Sequence, residues 1–268
     1  MDATSARSLS LFPTAAALVN ATEERTKFQS FARKKATEAG FNTLASILDE
    51  FGLGSSPSIF LHAMKLTSTI ISGSIALAVL HPGMFRHGDM DLYTTSTPHS
   101  HLLCDILLSF GYTALESVSL PQSIYSTKSI GCVRRYQMRS GSQHHFINVF
   151  HVNSIDQCHP TPISGVFEFI STLAMNYIAH YGIVCLYPRT TLARHGYWLY
   201  ESADAQDWID KYVERGFDLE AYNGTAGTGL GERNLYDDGV LFLPFEKDGK
   251  PKPYSVQLVE HNLRWRLL

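Results

Sequence analysis

The stretch "TIISGSIALAVLHPGMFRHGDMDLYT", Thr69 to Thr94, decides the fold of this chain. An apolar segment ends in Gly-Ser, a short apolar segment follows, and two aspartates then alternate with apolar residues. This order predicts a strand over 67–71, a helix over 74–80 and a second strand over 90–94. A strand–helix–strand unit of this kind favours a mixed α/β (α+β) protein.

The two aspartates of this stretch lie in the second predicted strand. Asp89 and Asp91 are two residues apart, so both side chains leave the same face, about 6.6 Å apart at the backbone. Met90 and Leu92 then point to the opposite face, toward a core. Two carboxylates on one face repel each other unless a cation lies between them, and Mg²⁺ prefers oxygen ligands of this kind. We therefore expect Asp89 and Asp91 to hold Mg²⁺ or Mn²⁺.

The Gly-Ser pair in front of the predicted helix favours an anion-binding turn. Gly73 would let a phosphate approach the backbone closely, and Ser74 would open the helix with free N–H groups and a hydroxyl. Taken alone, a Gly-Ser pair is usually a turn and an N-cap, and an Asp-x-Asp pair is often a solvated strand end. Together in one strand–helix–strand unit, they predict a nucleoside triphosphate with its metal as the ligand.

Composition excludes several classes of function. The chain has 268 residues, is 44% hydrophobic and 18% charged, and carries a net charge of −3, which is typical of a globular domain with a sizeable core. This charge argues against an extended nucleic-acid surface and against binding to an anionic membrane. The four cysteines show no C-x-x-C spacing and predict reduced thiols.

The N-terminus contains a weak resemblance to a signal peptide. The segment 9–21, "LSLFPTAAALVNA", is apolar and ends in small residues, but Pro13 and Thr14 interrupt it and only Arg7 makes the front end positive. We interpret the resemblance as a false one and expect a cytoplasmic protein. We also expect no membrane partner, because no window reaches the ~18 uninterrupted apolar residues of a spanning helix.

The remaining segments divide the chain into three predicted regions. Residues 1–57 form a helical segment, residues 58–160 form the mixed-sheet core, and residues 161–268 form a mostly helical region that ends in a β-hairpin. The hairpin is predicted from "VLFLPFE" and "PYSVQLVE", which lie on either side of a Lys-Asp-Gly-Lys turn signal. The other predicted elements are a buried helical stripe of Leu44, Ile47, Leu48 and Phe51, helices over 59–64, 98–110, 162–182 and 204–215, and strands from Gly131 and His144.

At the Gly-Ser and Asp-x-Asp positions the sequence resembles the nucleotidyltransferase-fold superfamily, which contains DNA polymerase β and the aminoglycoside nucleotidyltransferases. The signature of that superfamily is Gly-Ser or Gly-Gly, a spacer, and an acidic–apolar–acidic–apolar strand. Here Gly73-Ser74 precedes the run from Asp89 to Leu92 by fourteen residues, a slightly long spacer. The chain also contains "FEFISTLAMNYIAHYGIVCLYPRTTL", "KYVERGFDL" and "RNLYDDGVLFLPF". With these segments it resembles, over residues 60 to 245, a group of proteins of mushroom-forming fungi.

The resemblance implies a nucleotidyltransferase-like mixed-sheet core with flanking helices. It implies that Asp89 and Asp91 hold the catalytic metal and that Gly73 and Ser74 bind the β- and γ-phosphates. The superfamily usually adds a third carboxylate on a neighbouring strand. The matching strand here, "HHFINVFHV", contains no acid, and Asn148 aligns with the missing group. An amide oxygen can ligate Mg²⁺, but it brings no charge and cannot act as a base at neutral pH.

The predicted helix after Pro162 offers further candidates. Its polar residues recur every four positions, which is typical of a solvated helical face. The functional alternative is that Thr172 and Asn176 line the cleft and contact the base or ribose of the nucleotide. On the preceding strand, Arg134, Arg135 and Arg139 could reach phosphates, although Arg134 and Arg135 point to opposite faces. The histidines show no zinc-binding spacing.

These patterns predict a Mg²⁺-dependent nucleotidyltransferase. It would transfer a nucleoside monophosphate from a nucleoside triphosphate to a hydroxyl-type acceptor that the sequence does not identify. Asp89, Asp91 and Asn148 would form the catalytic set. The alternative, favoured by the missing third acid, is a catalytically silent member that binds a nucleotide or another protein.

Overall fold

The computed structural model of the protein describes residues 23–54, 56–95, 97–115, 130–153, 161–199, 205–223, 233–235, 239–245 and 264–265. The signal-peptide-like segment and the second strand of the predicted hairpin lie outside these ranges. The described cysteines, Cys104, Cys132 and Cys185, are free thiols.

The α-helices are α1 (Glu23–Glu50), α2 (Pro57–Leu66), α3 (Ser74–Leu80), α4 (Thr97–Ser109), α5 (Pro188–Thr191) and α6 (Ala205–Glu214). The buried residues of α2 and α4 recur at helical spacing, whereas all seven residues of α3 are buried. Two 3₁₀ helices span Pro162–Glu168 and Thr172–Ala174. Each begins at a hydroxyl residue, Thr161 or Ser171, whose side chain accepts a hydrogen bond from a backbone N–H two residues on.

The strands are β1 (Ile70–Ser72), β2 (Met90–Thr94), β3 (Thr113–Ala114), β4 (Ile130–Ser140), β5 (Gln143–Val152), β6 (Asn176–Ala179), β7 (Gly182–Cys185), β8 (His195–Trp198), β9 (Asp218–Ala221), β10 (Arg233–Asn234), β11 (Leu241–Pro244) and β12 (Arg264–Trp265). Burial alternates along most of β5, whereas β6 and β7 are buried at every position.

Eight of these strands form one mixed sheet in the order β11-β7-β6-β1-β2-β5-β4-β3. Only β2 and β5 run parallel to each other, and the other neighbours are antiparallel. Separately, β8 pairs in parallel with β9 and β10 pairs with β12. A mixed sheet with helices confirms the predicted mixed α/β class.

Each face of the large sheet covers its own apolar core. The first core lies between the sheet and α1 to α4, and its members include Leu44, Leu48, Phe60, Met64, Met90, Leu92, Leu103, Leu107, Ile147 and Val149. The second core lies under the first 3₁₀ helix, and its members include Tyr93, Phe150, Val152, Ile163, Val166 and Tyr177. Full burial of one such side chain contributes roughly 1.5–3 kcal/mol, so the two cores fix the sheet from both sides.

The first half of the chain forms the predicted elements. The helix over 74–80 and the strand over 90–94 have the predicted bounds, and the strand predicted over 67–71 is shifted to 70–72. Met90 and Leu92 are fully buried in the first core, as expected. The predicted stripe of α1 is buried at all four positions, Leu44, Ile47, Leu48 and Phe51.

The prediction for the second half is wrong in two respects. The helix predicted over 162–182 is two short 3₁₀ helices followed by β6, because this segment is buried on both faces of the sheet and has no solvent-facing stripe. The region after residue 161 is therefore not mostly helical, and the sheet crosses the predicted boundary at 160/161. The first strand of the predicted hairpin is β11, and its partner is β7.

Candidate functional site

The turn between β1 and α3 approaches β2 where Asp91 lies. Gly73 makes this turn with φ 69° and ψ −140°, a conformation that residues with a side chain rarely adopt. A Cβ atom at this position would lie 2.8 Å from Asp91 Oδ2. Both the backbone angle and the neighbouring carboxylate therefore require glycine. Ser74 follows as the first residue of α3 and is 8% exposed.

Asp91 belongs to a row of polar residues that crosses four adjacent strands. In the strand registers, Ser72 lies opposite Asp91, Asp91 opposite Asn148, and Asn148 opposite Arg135. The Asn148 side chain donates from Nδ2 to Asp91 Oδ1 at 2.9 Å. Asn148 thus lies where the alignment predicted, next to Asp91. In this orientation its amide nitrogen, rather than its oxygen, faces the carboxylate.

Asp89 lies just before β2 and forms an ion pair with Arg135, the member of this row on β4. Arg135 Nη2 donates to Asp89 Oδ2 at 2.6 Å, and the two side chains are 33% and 38% exposed. The Arg135 guanidinium also lies 4.3 Å over the ring of Phe146. An ion pair this exposed contributes about 0–1 kcal/mol, so a stronger ligand of Asp89 can displace Arg135 at small cost.

The electrostatic environment makes Asp91 hard to ionise. The pKa of its carboxyl is raised from 3.8 to about 6, with burial as the largest cause and the negative charge of Asp89 acting in the same direction. The hydrogen bond from Asn148 and the positive charges of Lys211 and Arg135 lower this pKa and offset part of the effect. A partly buried carboxylate that lacks full compensation is a favourable place for an added cation.

Helix α6 contributes a positive charge, Lys211, that interacts with both Asp89 and Asp91. Burial and the neighbouring Arg215 lower the pKa of Lys211, while Asp91 and Asp89 raise it. Arg215 lies 4.7 Å over the ring of Phe85 and donates from Nη2 to the backbone oxygen of Arg86 at 3.4 Å. The sequence analysis missed the contribution of Lys211, which lies on α6; Arg215 directly follows the last residue of this helix.

Thr172 and Asn176 do not line the site, and the prediction that they contact a nucleotide is corrected. Both are fully buried. Thr172 Oγ1 accepts a hydrogen bond from the Tyr197 backbone N–H at 2.9 Å, and Asn176 Nδ2 donates to the Leu173 backbone oxygen at 2.7 Å. With no exposed area, neither side chain can touch a bound ligand in this conformation, and both instead hold the chain around the second 3₁₀ helix.

The donor set at Asp89 and Asp91 fits a hard divalent cation. Both groups offer carboxylate oxygens, the ligands that Mg²⁺ and Mn²⁺ prefer. The absence of a side chain at Gly73 leaves the space beside Asp91 Oδ2 open, since a Cβ there would be within 2.8 Å. Asp89 and Asp91 are therefore the residues that would hold the metal.

A second group of possible metal ligands lies on the small sheet of β8 and β9. The ligand atoms of His195, Asp218 and Glu220 are all within 4.8 Å of one another. His195 Nδ1 is 3.6 Å from Asp218 Oδ2, and the Asp218 side chain is 80% exposed. The sequence signal that was missed is Asp218-Leu219-Glu220, the same acidic–apolar–acidic spacing as at residues 89–91. Its exposure makes it the weaker candidate, because bulk water competes for an open site.

Comparison of the chain with protein-family models, curated proteins and solved structures gives no match. Among the helices in the described ranges, none combines the length and the apolar character needed to cross a bilayer. Arguments about function therefore depend on the geometry of the site itself.

Proposed function

We propose that the protein is a Mg²⁺- or Mn²⁺-dependent nucleotidyltransferase of the cytoplasm, with a nucleotidyltransferase-like core. It would transfer a nucleoside monophosphate from a nucleoside triphosphate to a hydroxyl-type acceptor. Gly73, Ser74, Asp89 and Asp91 would form the site. The observation that carries this proposal is the approach of the Gly73 turn to Asp91, with the Asp89 carboxylate two residues away.

The residues around this pair support binding of a polyanion. Arg135 donates to Asp89, and the positive charge of Lys211 acts on both Asp89 and Asp91. Two carboxylates flanked by cations suit a metal–triphosphate complex, because the metal compensates the acids while the basic groups compensate the phosphates. Mg²⁺, when bound, would neutralise the phosphate charge and align the attack.

In the proposed reaction, the acceptor hydroxyl oxygen forms a bond to the α-phosphorus. The bond from that phosphorus to the α,β-bridging oxygen breaks, and pyrophosphate leaves with the bonding electrons. Asn148 cannot take the hydroxyl proton at neutral pH, so the proton passes to solvent. Asn148 instead orients Asp91 through its 2.9 Å hydrogen bond, which makes it a positioning residue.

The second candidate is a silent nucleotide-binding or protein-interaction module. Two contacts favour it: Asn148 donates to Asp91, and Arg135 donates to Asp89, so each carboxylate already has a partner. In that case the two contacts would be permanent structural bonds. The two candidates differ in whether the protein releases pyrophosphate from a nucleoside triphosphate in the presence of an acceptor.

The test is thermal unfolding with ATP, GTP, CTP and UTP, each with Mg²⁺ or with EDTA. A ligand at a hundredfold its Kd stabilises the native state by about 2.7 kcal/mol. We expect this gain only when Mg²⁺ is present. The double variant Asp89→Asn, Asp91→Asn should lose the gain and still fold.

The matched control is the double variant Asp218→Asn, Glu220→Gln, which changes a second acidic–apolar–acidic pair and removes the same charge. It should keep the Mg²⁺-dependent gain. If this control loses the Mg²⁺-dependent gain in stability while the Asp89, Asp91 variant keeps it, the metal site is the cluster of His195, Asp218 and Glu220. Equal gains in all three proteins would contradict the site assignment.

A further inference from the structure

We propose that the sheet face beside Asp91 binds two bases of a single-stranded nucleic acid, whose end is the acceptor of the transfer. The role as acceptor rests on the proposed function, whereas binding of the strand does not. The surface, here named the β4–β5 platform, is formed by Arg135, Gln137, Arg139, His144 and Phe146.

The strand register puts these five side chains on one face of the sheet. Arg135 lies opposite Asn148, Gln137 opposite Phe146, and Arg139 opposite His144. The same face is closed further along β5, where Phe150 packs in the second core. This face is open at the platform, where His144 and Arg139 are exposed and Phe146 is only partly buried.

The platform carries two flat rings in nearly parallel planes. The His144 and Phe146 ring centroids are 6.4 Å apart, with an angle of 17° between the planes. His144 hydrogen-bonds to the Gln137 amide through Nδ1, and Phe146 is covered by the Arg135 guanidinium. Bases stack on aromatic rings and on guanidinium planes alike. The two stacking surfaces are therefore held in place by their own neighbours.

The spacing of the rings selects a single strand over a duplex. Stacked bases in a duplex repeat about every 3.4 Å along each strand, which is much closer than the 6.4 Å between the ring centroids. Two neighbouring bases can occupy the His144 ring and the guanidinium over Phe146 only after they have unstacked from each other. Unstacked bases on a sheet surface are a common arrangement in single-strand recognition.

The charge of the segment also fits a polyanion. The whole chain has a net charge of −3, yet between Glu116 and Asp156 it contains no acidic residue and several arginines. Arg139 lies at the outer end of the platform and donates from Nε to the Gly141 backbone oxygen at 3.1 Å. This local charge is small and suits a contact with one or two phosphates, not an extended nucleic-acid surface.

The platform adjoins the carboxylate pair. Arg135 belongs to the platform and reaches Asp89 at 2.6 Å, and Asn148 lies between the platform and Asp91. A strand with one base on the His144 ring and the next on the Arg135 guanidinium over Phe146 can therefore extend its end toward Asp89 and Asp91. Lys211 lies on α6, outside the platform, and its charge acts on both aspartates, so it is available to the triphosphate.

The test is fluorescence anisotropy with labelled eight-residue oligo(dA) and oligo(rA), in EDTA and without nucleoside triphosphate. His144→Ala should weaken binding of both probes about tenfold, because one stacked base contributes roughly 1–3 kcal/mol. Arg139→Gln should lower the slope of log affinity against log salt by about 0.7. The matched controls, His101→Ala on α4 and Arg33→Gln on α1, lie on helices that cover the opposite face and should bind as wild type does.

Each alternative outcome has a separate meaning. Four results would overturn the proposal that the platform binds a single strand. They are no binding of the oligonucleotides by wild type, equal affinity for a duplex, binding of AMP alone, and equal losses of affinity in the control variants. The variant Asp89→Asn, Asp91→Asn should bind the oligonucleotides at least as tightly as wild type, since it removes acids beside Arg135. Oligonucleotide binding without stabilisation by Mg²⁺–ATP would support the platform and refute the proposed function. Stabilisation by Mg²⁺–ATP without oligonucleotide binding would support the proposed function and refute the platform.

Discussion

Replacing Asp91 by asparagine is expected to stabilise the protein at neutral pH when no divalent metal is present. Burial raises the pKa of this carboxyl from 3.8 to about 6. The folded state then holds a proton over a pH range in which the unfolded chain has lost it. The contribution of Asp91 to the free energy of unfolding therefore falls as pH rises from about 4 to about 6, and it stays at its lowest value above that range.

The size of the effect follows from the same two pKa values. The difference between 3.8 and about 6, at 1.36 kcal/mol per pKa unit, gives an upper limit of about 3 kcal/mol. Asp91 is only partly buried, so solvent screening reduces this to about 1–2 kcal/mol. Asparagine can keep the hydrogen bond from Asn148, because its side-chain oxygen can accept as the carboxylate does.

The assay is urea unfolding of wild type and Asp91→Asn in EDTA at several pH values between 4 and 7.5. The variant should be more stable by about 1–2 kcal/mol near pH 7, and the difference should vanish near pH 4. Titrating groups that do not interact with Asp91 cancel, because both proteins contain them. The control is Asp105→Asn, an exposed aspartate on α4, which should show no such trend. A stability difference that is absent or independent of pH would refute the reasoning.

Three further predictions concern neighbouring positions. Gly73→Ala should destabilise the protein by about 1–3 kcal/mol more than Gly83→Ala, since both glycines have positive φ but only the first has Asp91 within 2.8 Å; equal losses in urea unfolding would contradict the contact. Asn148→Asp should be less stable than wild type in EDTA, because it adds a third negative charge, and should gain more thermal stability from Mg²⁺; an unchanged Mg²⁺ response would remove Asn148 from the site. Burial lowers the pKa of His81 from 6.5 to about 4, so the stabilising contribution of His81 is present above pH 6.5 and is lost toward pH 4. Relative to His81→Gln, the free energy of unfolding of wild type should fall by about 2–3 kcal/mol over that range. Parallel pH profiles of the two proteins would contradict a lowered pKa of His81.

The sequence by itself determined the elements whose signals are local. The Gly-Ser turn, the apolar helix and the alternating strand of residues 69–94 were all predictable, because a turn residue and a period-two pattern act within a few positions. The same pattern put the two aspartates on one face and the apolar residues between and after them in the core. The position of Asn148 beside Asp91 was predictable only through the superfamily resemblance.

Only the tertiary structure decided the identity of the segment after Pro162. Its apolar run allows either a buried helix or buried strands, and periodicity cannot distinguish the two. The antiparallel pairing of β6 with β1 and β7 settles it as strand, since strands buried on both faces lose the alternating pattern. That pairing also took Thr172 and Asn176 out of the candidate site.

The partners of the carboxylates were likewise decided by long-range packing. Arg135 reaches Asp89 because β5, the strand between β2 and β4, runs parallel to the first and antiparallel to the second. Lys211 acts on Asp91 from a helix more than a hundred residues away in sequence. Charge and residue type were readable at each position, but strand register and helix placement, which depend on the whole core, determined which charges meet.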